Sequence, residues 1–206
     1  MNKFRIALGC LLAAALFAGC QSPAPTEPTP ETGTAPAEPR PDSILYYGEI
    51  LEIRSADSGT LLSMNSEKSG PWILRLSEDT VFVDSGRRTL FDPDTLAVGD
   101  RVYVFHSPVA AYSMPPQSQA FAVLRNIPMD ASCGMYHEVE SLEQKDGTLL
   151  ITTDNGALTL GADADTRIFD TQDREVTQLT PGSHVIAWYW DQGQQILHPS
   201  HILVLP

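Results

Sequence analysis

Cysteine, basic residues and long apolar runs are all scarce in this chain, and each shortage excludes something. Only three of its 206 residues are cysteine: Cys10, Cys20 and Cys133. The first two belong to an export segment described below, so Cys133 has no partner and no disulfide framework is available. Apolar burial must therefore stabilise the core. Lys and Arg number 13 against 26 Asp and Glu, a formal charge of −13. Sequence-independent binding to phosphate backbones needs clustered basic residues, so nucleic acid is not expected as a partner. No Gly-x-Ser-x-Gly elbow, His-Glu-x-x-His helix or phosphate-binding glycine loop is present, and no enzymatic activity or cofactor is expected. The acidic stretch Asp163-x-Asp165 lacks the glycine and glutamate of a calcium-binding EF-hand loop. No long stretch has an apolar period of 3.6, which argues against a helical domain.

What is present begins with an export signal. Lys3 and Arg5 precede an apolar run over residues 6–17, too short to span a bilayer as a stable helix. The run ends in Leu16-Phe17-Ala18-Gly19-Cys20, which resembles the lipobox of bacterial lipoproteins, with Phe17 departing from the preferred aliphatic residue. That resemblance implies removal of residues 1–19, acylation of Cys20 and an extracytoplasmic location on the cell membrane. Loss of Lys3 and Arg5 takes the formal charge from −13 to −15. Such a chain does not dock on anionic lipid by charge, so lipid must hold it there. Residues 20–43 follow as a lipidated cysteine and a proline-rich linker without aromatic or large aliphatic side chains. Such a segment has nothing to bury and reads as a stalk.

From residue 44 the texture changes to short β-type runs divided by turn residues, and a repeat is visible. Tyr47-Gly48-Glu49-Ile50 matches Tyr136-His137-Glu138-Val139, and Gly59-Thr60-Leu61-Leu62 recurs as Gly147-Thr148-Leu149-Leu150. Asp79-Thr80 matches Asp165-Thr166; Leu96-Ala97-Val98-Gly99 matches Leu179-Thr180-Pro181-Gly182; Val123-Leu124 meets His201-Ile202. The blocks keep their order, which predicts two modules, residues 44–128 and 129–206. The first copy predicts strands over 44–53, 60–64, 72–76 with 80–83, 101–106 and 120–127. Asp57-Ser58-Gly59 and Asp146-Gly147 supply hairpin turns, and Asp92-Pro93-Asp94 at best one helical turn. The expected fold is all-β: two tandem five-stranded OB-like small barrels after the stalk.

The pattern of Gly-x-Ile, Asp-Gly-x-Leu, Asp-Thr, Leu-x-x-Gly-Asp-x-Val and a final strand resembles exported small β-barrel repeats of unknown function. The segment from Phe105-His106-Ser107-Pro108 to Met114-Pro115-Pro116-Gln117 is similar to one in surface proteins of clostridia-like bacteria. This resemblance covers residues 44–206, implies an envelope location and brings no catalytic residue with it.

Three groups are candidate sites. The loop containing His106, Tyr112, Pro115, Pro116 and Gln117 differs between the copies and forms a candidate lip for a peptide or small ligand; the alternative is that it caps a strand end. Cys133, Met135 and His137 alternate, so an extended chain turns them to one face. With Met114 they compose a soft set suited to Cu(I); the alternative gives them structural roles. Trp188 and Trp190 share the opposite parity to Tyr189 and either stack on a sugar or pack in the core. The leading expectation is a non-enzymatic binding or assembly module of the cell envelope, anchored by lipid and serving an envelope protein or small ligand. Copper handling is the alternative, and a carbohydrate-binding accessory role ranks below it.

Overall fold

The computed structural model describes residues 41–57, 59–128, 132–191 and 193–206, all within one compact unit, Glu38–Pro206. Cys20, its lipobox and the linker up to residue 40 lie outside the described residues. The described residues fold as β-structure, with a single 3₁₀ turn among them at Pro93–Thr95. The Asp92 carboxylate accepts the Asp94 amide at 3.0 Å there, satisfying one donor that the short turn leaves open.

In the first half the strands are β1 (Ile44–Ala56), β2 (Gly59–Ser66), β3 (Gly70–Leu76), β4 (Val81–Asp84), β5 (Thr89–Leu90), β6 (Arg101–Ala111) and β7 (Gln117–Arg125). They form one sheet in the order β3-β2-β1-β6-β7-β4-β5. A further parallel pairing of β3 with β7 joins Ile73 to Gln117 and Leu74 to Ser118, so five strands close into a barrel. β1 makes this possible by serving two neighbours. Its first residues pair with β6 and its later ones with β2, and the register shifts between Ile50 and Glu52. Such a bulge bends a strand around a closed sheet.

The second half contains β8 (Gly134–Glu138), β9 (Ser141–Lys145), β10 (Thr148–Thr153), β11 (Leu158–Ala162), β12 (Arg167–Phe169), β13 (His184–Trp188) and β14 (His201–Val204). These are divided between a sheet β11-β10-β9 and a sheet β12-β14-β13-β8. A parallel bridge joins Leu160 of β11 to Leu197, in the segment that leads into β14.

The apolar residues segregate into three buried clusters. The first fills the barrel with Tyr46, Ile50, Leu62, Met64, Leu74 and Val104. Another, in the second half, gathers Val139, Ile151, Leu160, Val185, Ala187 and Ile202. Between them lies a cluster built from both halves: Phe105, Ala122 and Leu124 meet Tyr136, Ile186, Trp188 and Leu203. Strand parity explains this partition. On β6, Val102 and Val104 turn inward to the barrel while Phe105 turns to the joint core. On β13, Val185 and Ala187 face one core and Ile186 and Trp188 the other. Strands buried on both faces read as continuous apolar runs, as His184-Val185-Ile186-Ala187-Trp188 does.

Gly134 is required where the halves touch. A Cβ there would lie 2.7 Å from Ile186 Cγ2 and 3.0 Å from Trp188 Cε2. One polar tie crosses the same boundary: buried Ser85 accepts from Trp188 Nε1 at 3.0 Å and from the Gly134 amide at 3.3 Å. An indole buried beyond the reach of water needs such an acceptor.

Candidate functional site

The residues singled out from sequence are dispersed, and most are used by the fold. His106 is buried, with its ring 4.8 Å from that of Trp72 and Nδ1 donating to the Ser107 carbonyl at 2.9 Å. Burial lowers its pKa. β6 and β7 continue as a protruding hairpin, Gln117 pairs with both Ala111 and Ile73, and the Pro116 carbonyl accepts the Ile73 amide at 3.0 Å. The prolines thus finish a sheet edge, the Met114–Pro115 bond being cis, and Tyr112 and Met114 stand fully in solvent at the tip.

The soft-ligand set does not assemble as one group. Met114 is exposed over its whole surface and so touches neither Cys133 nor His137. Cys133 is half-buried, its thiol donating to the Gly134 carbonyl at 3.3 Å, and burial pushes that thiol up to about 11. Met135 packs beside the joint core. His137 is buried, with Nε2 3.0 Å from the Tyr189 hydroxyl. Its Nδ1 lies 3.3 Å from the Asp154 carboxylate without the geometry of a hydrogen bond. Among the described residues no three His, Cys, Asp or Glu side chains converge as a metal-holding group.

The tryptophans separate as well. Trp188, 1% exposed, is a core residue and presents no face to a sugar, whereas Trp190 is 56% exposed. Tyr189 turns to the opposite side and packs against the core of the second half.

The cavity that combines shape and chemistry lies where the halves meet, and sequence reasoning did not find it. It is an open cleft of about 710 Å³, lined by Val81, Gln119 and Phe121 from the first half and by Tyr136, Glu138 and His184 from the second. Its floor is a ladder of rings. Phe121 and Tyr136 lie 5.4 Å apart at 21°, and Tyr136 and His184 lie 5.7 Å apart at 17°. The Tyr136 hydroxyl is 2.7 Å from His184 Nδ1. Burial, reinforced by the nearby Glu138 and Asp42 carboxylates, raises the Tyr136 pKa well above the usual phenol range. The phenol is therefore neutral at ordinary pH.

Asp42, Asp79 and Glu138 supply carboxylates to this cleft, and among the described residues no Lys or Arg lines it. Asp42 is held in place by accepting from the Asp154 amide and from Asn155 Nδ2, each at 2.9 Å. Gln119 Nε2 donates to Ser77 Oγ at 3.1 Å on the first-half wall. An aromatic floor with a carboxylate rim suits a ligand with an apolar body and a positive group. Nothing local in the sequence marks this site, because Phe121, Tyr136 and His184 come from three strands that only the packed halves bring together. A smaller cleft of about 400 Å³, lined by Tyr47, Leu51 and Lys68 with the Arg101–Glu49 ion pair (3.6 Å), lies on the barrel wall. It involves one half alone and offers both signs of charge.

No family model matches this chain, and no curated protein does. Among solved structures it is similar to a multidomain protein with nucleic acid binding domains from Streptococcus pneumoniae TIGR4. The identity is 11% and the TM-score 0.24, over 76% of this chain and 50% of that one, so the chain spans about half the length of that protein. The exclusion of nucleic acid drawn from net charge is corrected on this point, since the similar structure is described by its nucleic-acid-binding domains. Net charge averages over a whole surface and does not dispose of a partner class. At this TM-score the likeness carries no argument for what this chain binds.

Proposed function

We propose that this protein is an extracytoplasmic lipoprotein, anchored through Cys20, whose two OB-like halves form a non-catalytic binding module with its ligand site in the cleft between them. The observation that carries this reading is the composition of the cleft: both halves line it, its floor is aromatic and its rim is carboxylate. Support for the OB-like fold comes from strand order. Counted as barrel strands, β1, β2, β3, β6 and β7 stand in the order 1-2-3-5-4 and close by a parallel pair, as in that architecture. Support for duplication comes from pairings. Val81↔Ala122 and Val83↔Leu124 correspond to Arg167↔His201 and Phe169↔Leu203, and Leu74↔Ser118 to the Leu160–Leu197 bridge. These equivalences shift the last matched block by one residue from its sequence alignment.

A binding role fits better than catalysis. The half-buried Cys133 thiol is held protonated, and among the described residues neither it nor a serine is hydrogen-bonded to a histidine in the cleft. The anchor is tested by labelling with a fatty-acid probe, which marks the wild type and not Cys20→Ala. The site is tested with a charge-reversed pair, phenethylamine and phenylacetate. Phenethylamine is expected to move the amide resonances of Phe121, Tyr136 and His184, and phenylacetate to leave them in place. Shifts confined to other residues, or none with either compound, would remove the cleft from the reading.

A further inference from the structure

Residues 102–124 contain no Asp, Glu, Lys or Arg, in a chain where such residues make up 19% of the whole. Midway along this stretch β6 and β7 turn back on each other at the barrel rim, where Gln117 still pairs with Ile73, and the connection over residues 112–116 forms the hairpin tip. Val109, Tyr112 and Met114 at its end are 78%, 109% and 100% exposed, the highest values among the described exposed large hydrophobics. The hairpin is tied internally. Ser118 Oγ donates to the Ser107 carbonyl at 2.7 Å, also lies 3.1 Å from that of Val109, and Ser113 Oγ donates to the Pro115 carbonyl at 2.7 Å. An ordered element therefore presents these side chains, and the fold does not bury them.

We propose that this hairpin tip seats in the interfacial layer of a lipid bilayer. Its chemistry fits that layer: tyrosine offers an apolar ring with a polar end, flanked by valine and methionine, with no charge to desolvate. The charge distribution selects the tip over the rest of the surface. The chain is strongly acidic and is repelled by lipid phosphates, while the tip is neutral.

The path of the chain supplies the orientation, which rests on the proposed anchor. Ile44 pairs with His106 and Leu45 with Phe105, antiparallel. Ile44 therefore lies at the end of β1 nearer the hairpin, and just before it Asp42 is held by Asp154 and Asn155 of the second half. A proline-rich stretch over residues 20–41 would span roughly 70 Å at the polyproline II rise of about 3.1 Å per residue. An anchor at Cys20 thus permits the tip to touch the bilayer that holds the anchor.

The test places an environment-sensitive fluorophore at the tip of the lipidated chain in phosphatidylcholine vesicles. Met114→Cys is labelled in a Cys133→Ser background and compared with Val98→Cys, which is exposed at the opposite end of β6. Emission from position 114 is expected to shift to the blue, resist iodide and be quenched by spin-labelled headgroups, while position 98 remains open to iodide. Independently, a non-lipidated Cys20→Ser chain is sedimented with the same vesicles. Adding Val109→Ser, Tyr112→Ser and Met114→Ser should lower bound protein roughly tenfold, with an unchanged circular dichroism spectrum. Equal iodide access at 114 and 98 overturns the proposal. So does protection at 114 that needs an envelope protein and is absent on pure lipid. Failure of Cys20 to acquire lipid would sink the anchor instead, and the sedimentation of the Cys20→Ser chain would still decide for the tip.

Discussion

Trp188 shows how much a single residue does here. Its ring fills the joint core and its Nε1 donates to Ser85 across the boundary between the halves. Trp188→Phe keeps an aromatic ring but removes volume and that donor, so a loss of about 2 kcal/mol is expected, read from urea unfolding. Gly134→Ala acts on the same contact from the other side. The added methyl meets Ile186 and Trp188 within the packed core, and a cost of roughly 1–3 kcal/mol follows if those side chains must shift. Several buried acids also make the protein sensitive to base. Burial pushes Tyr46 and Cys133 up to about 12 and about 11, and raises Tyr136 and Tyr189 further. Each binds its proton more tightly folded than unfolded, so its contribution is complete below its unfolded pKa, 9.0 for the thiol and 10.0 for the phenols. That contribution is lost as pH climbs through the folded value. The urea midpoint should fall from about pH 9 upward, and less steeply in Tyr136→Phe; a flat profile to pH 11 would contradict the burial of these groups.

At the scale of elements, β13 and the β6–β7 hairpin behave oppositely. Both faces of β13 are covered, Val185 and Ala187 by one core and Ile186 and Trp188 by another. Ile186→Ala should therefore cost about 3 kcal/mol even though its neighbours in sequence point away from it. Tyr112→Ala at the hairpin tip removes no packed contact and should change stability by less than about 0.5 kcal/mol. Thermal melts of the two variants check the contrast. The hairpin also shows why local reading fell short of the strand ends. Pro108 argues against a strand, but it falls where the register shifts between His106 and Ala110, and a bulge spares the missing N–H. The repeated Gly-Thr-Leu-Leu is a second case. Gly59 pairs with Ala56 at the end of its hairpin, whereas Gly147 lies inside the turn and Thr148 pairs with Lys145. Identical quartets thus stand one residue apart against their partner strands, because the turn and not the quartet determines register.

On the scale of the molecule, the joint core makes the two halves interdependent. Cutting the chain in the connection near residue 128 would expose Phe105, Ala122 and Leu124 on one piece and Ile186, Trp188 and Leu203 on the other. The intact chain should unfold in a single calorimetric transition, and the separated pieces should show broadened amide resonances or none of native dispersion. Two transitions, with a stable piece on either side, would show the shared cluster to be a mere contact. The same cluster fixes the cleft, since Phe121 and Tyr136 are held at 5.4 Å only while the halves remain packed.

Much was determined by sequence alone. Alternating apolar residues and Asp-Gly turns specify strands and hairpins, since side-chain period and positive-φ turns act over a few residues. The lack of a cysteine partner and of helical periodicity is equally local. Tertiary structure alone decided which face of each strand is inside. His106 and Trp188 each look able to serve a ligand in sequence, and both are taken by the core, whereas Tyr136, which no local pattern marks, lines the cleft. A strand's two faces are interchangeable until something packs on them, and here the second half packs on the first. The cleft exists for the same reason: its rings and carboxylates are brought together by apolar burial between segments far apart in the chain.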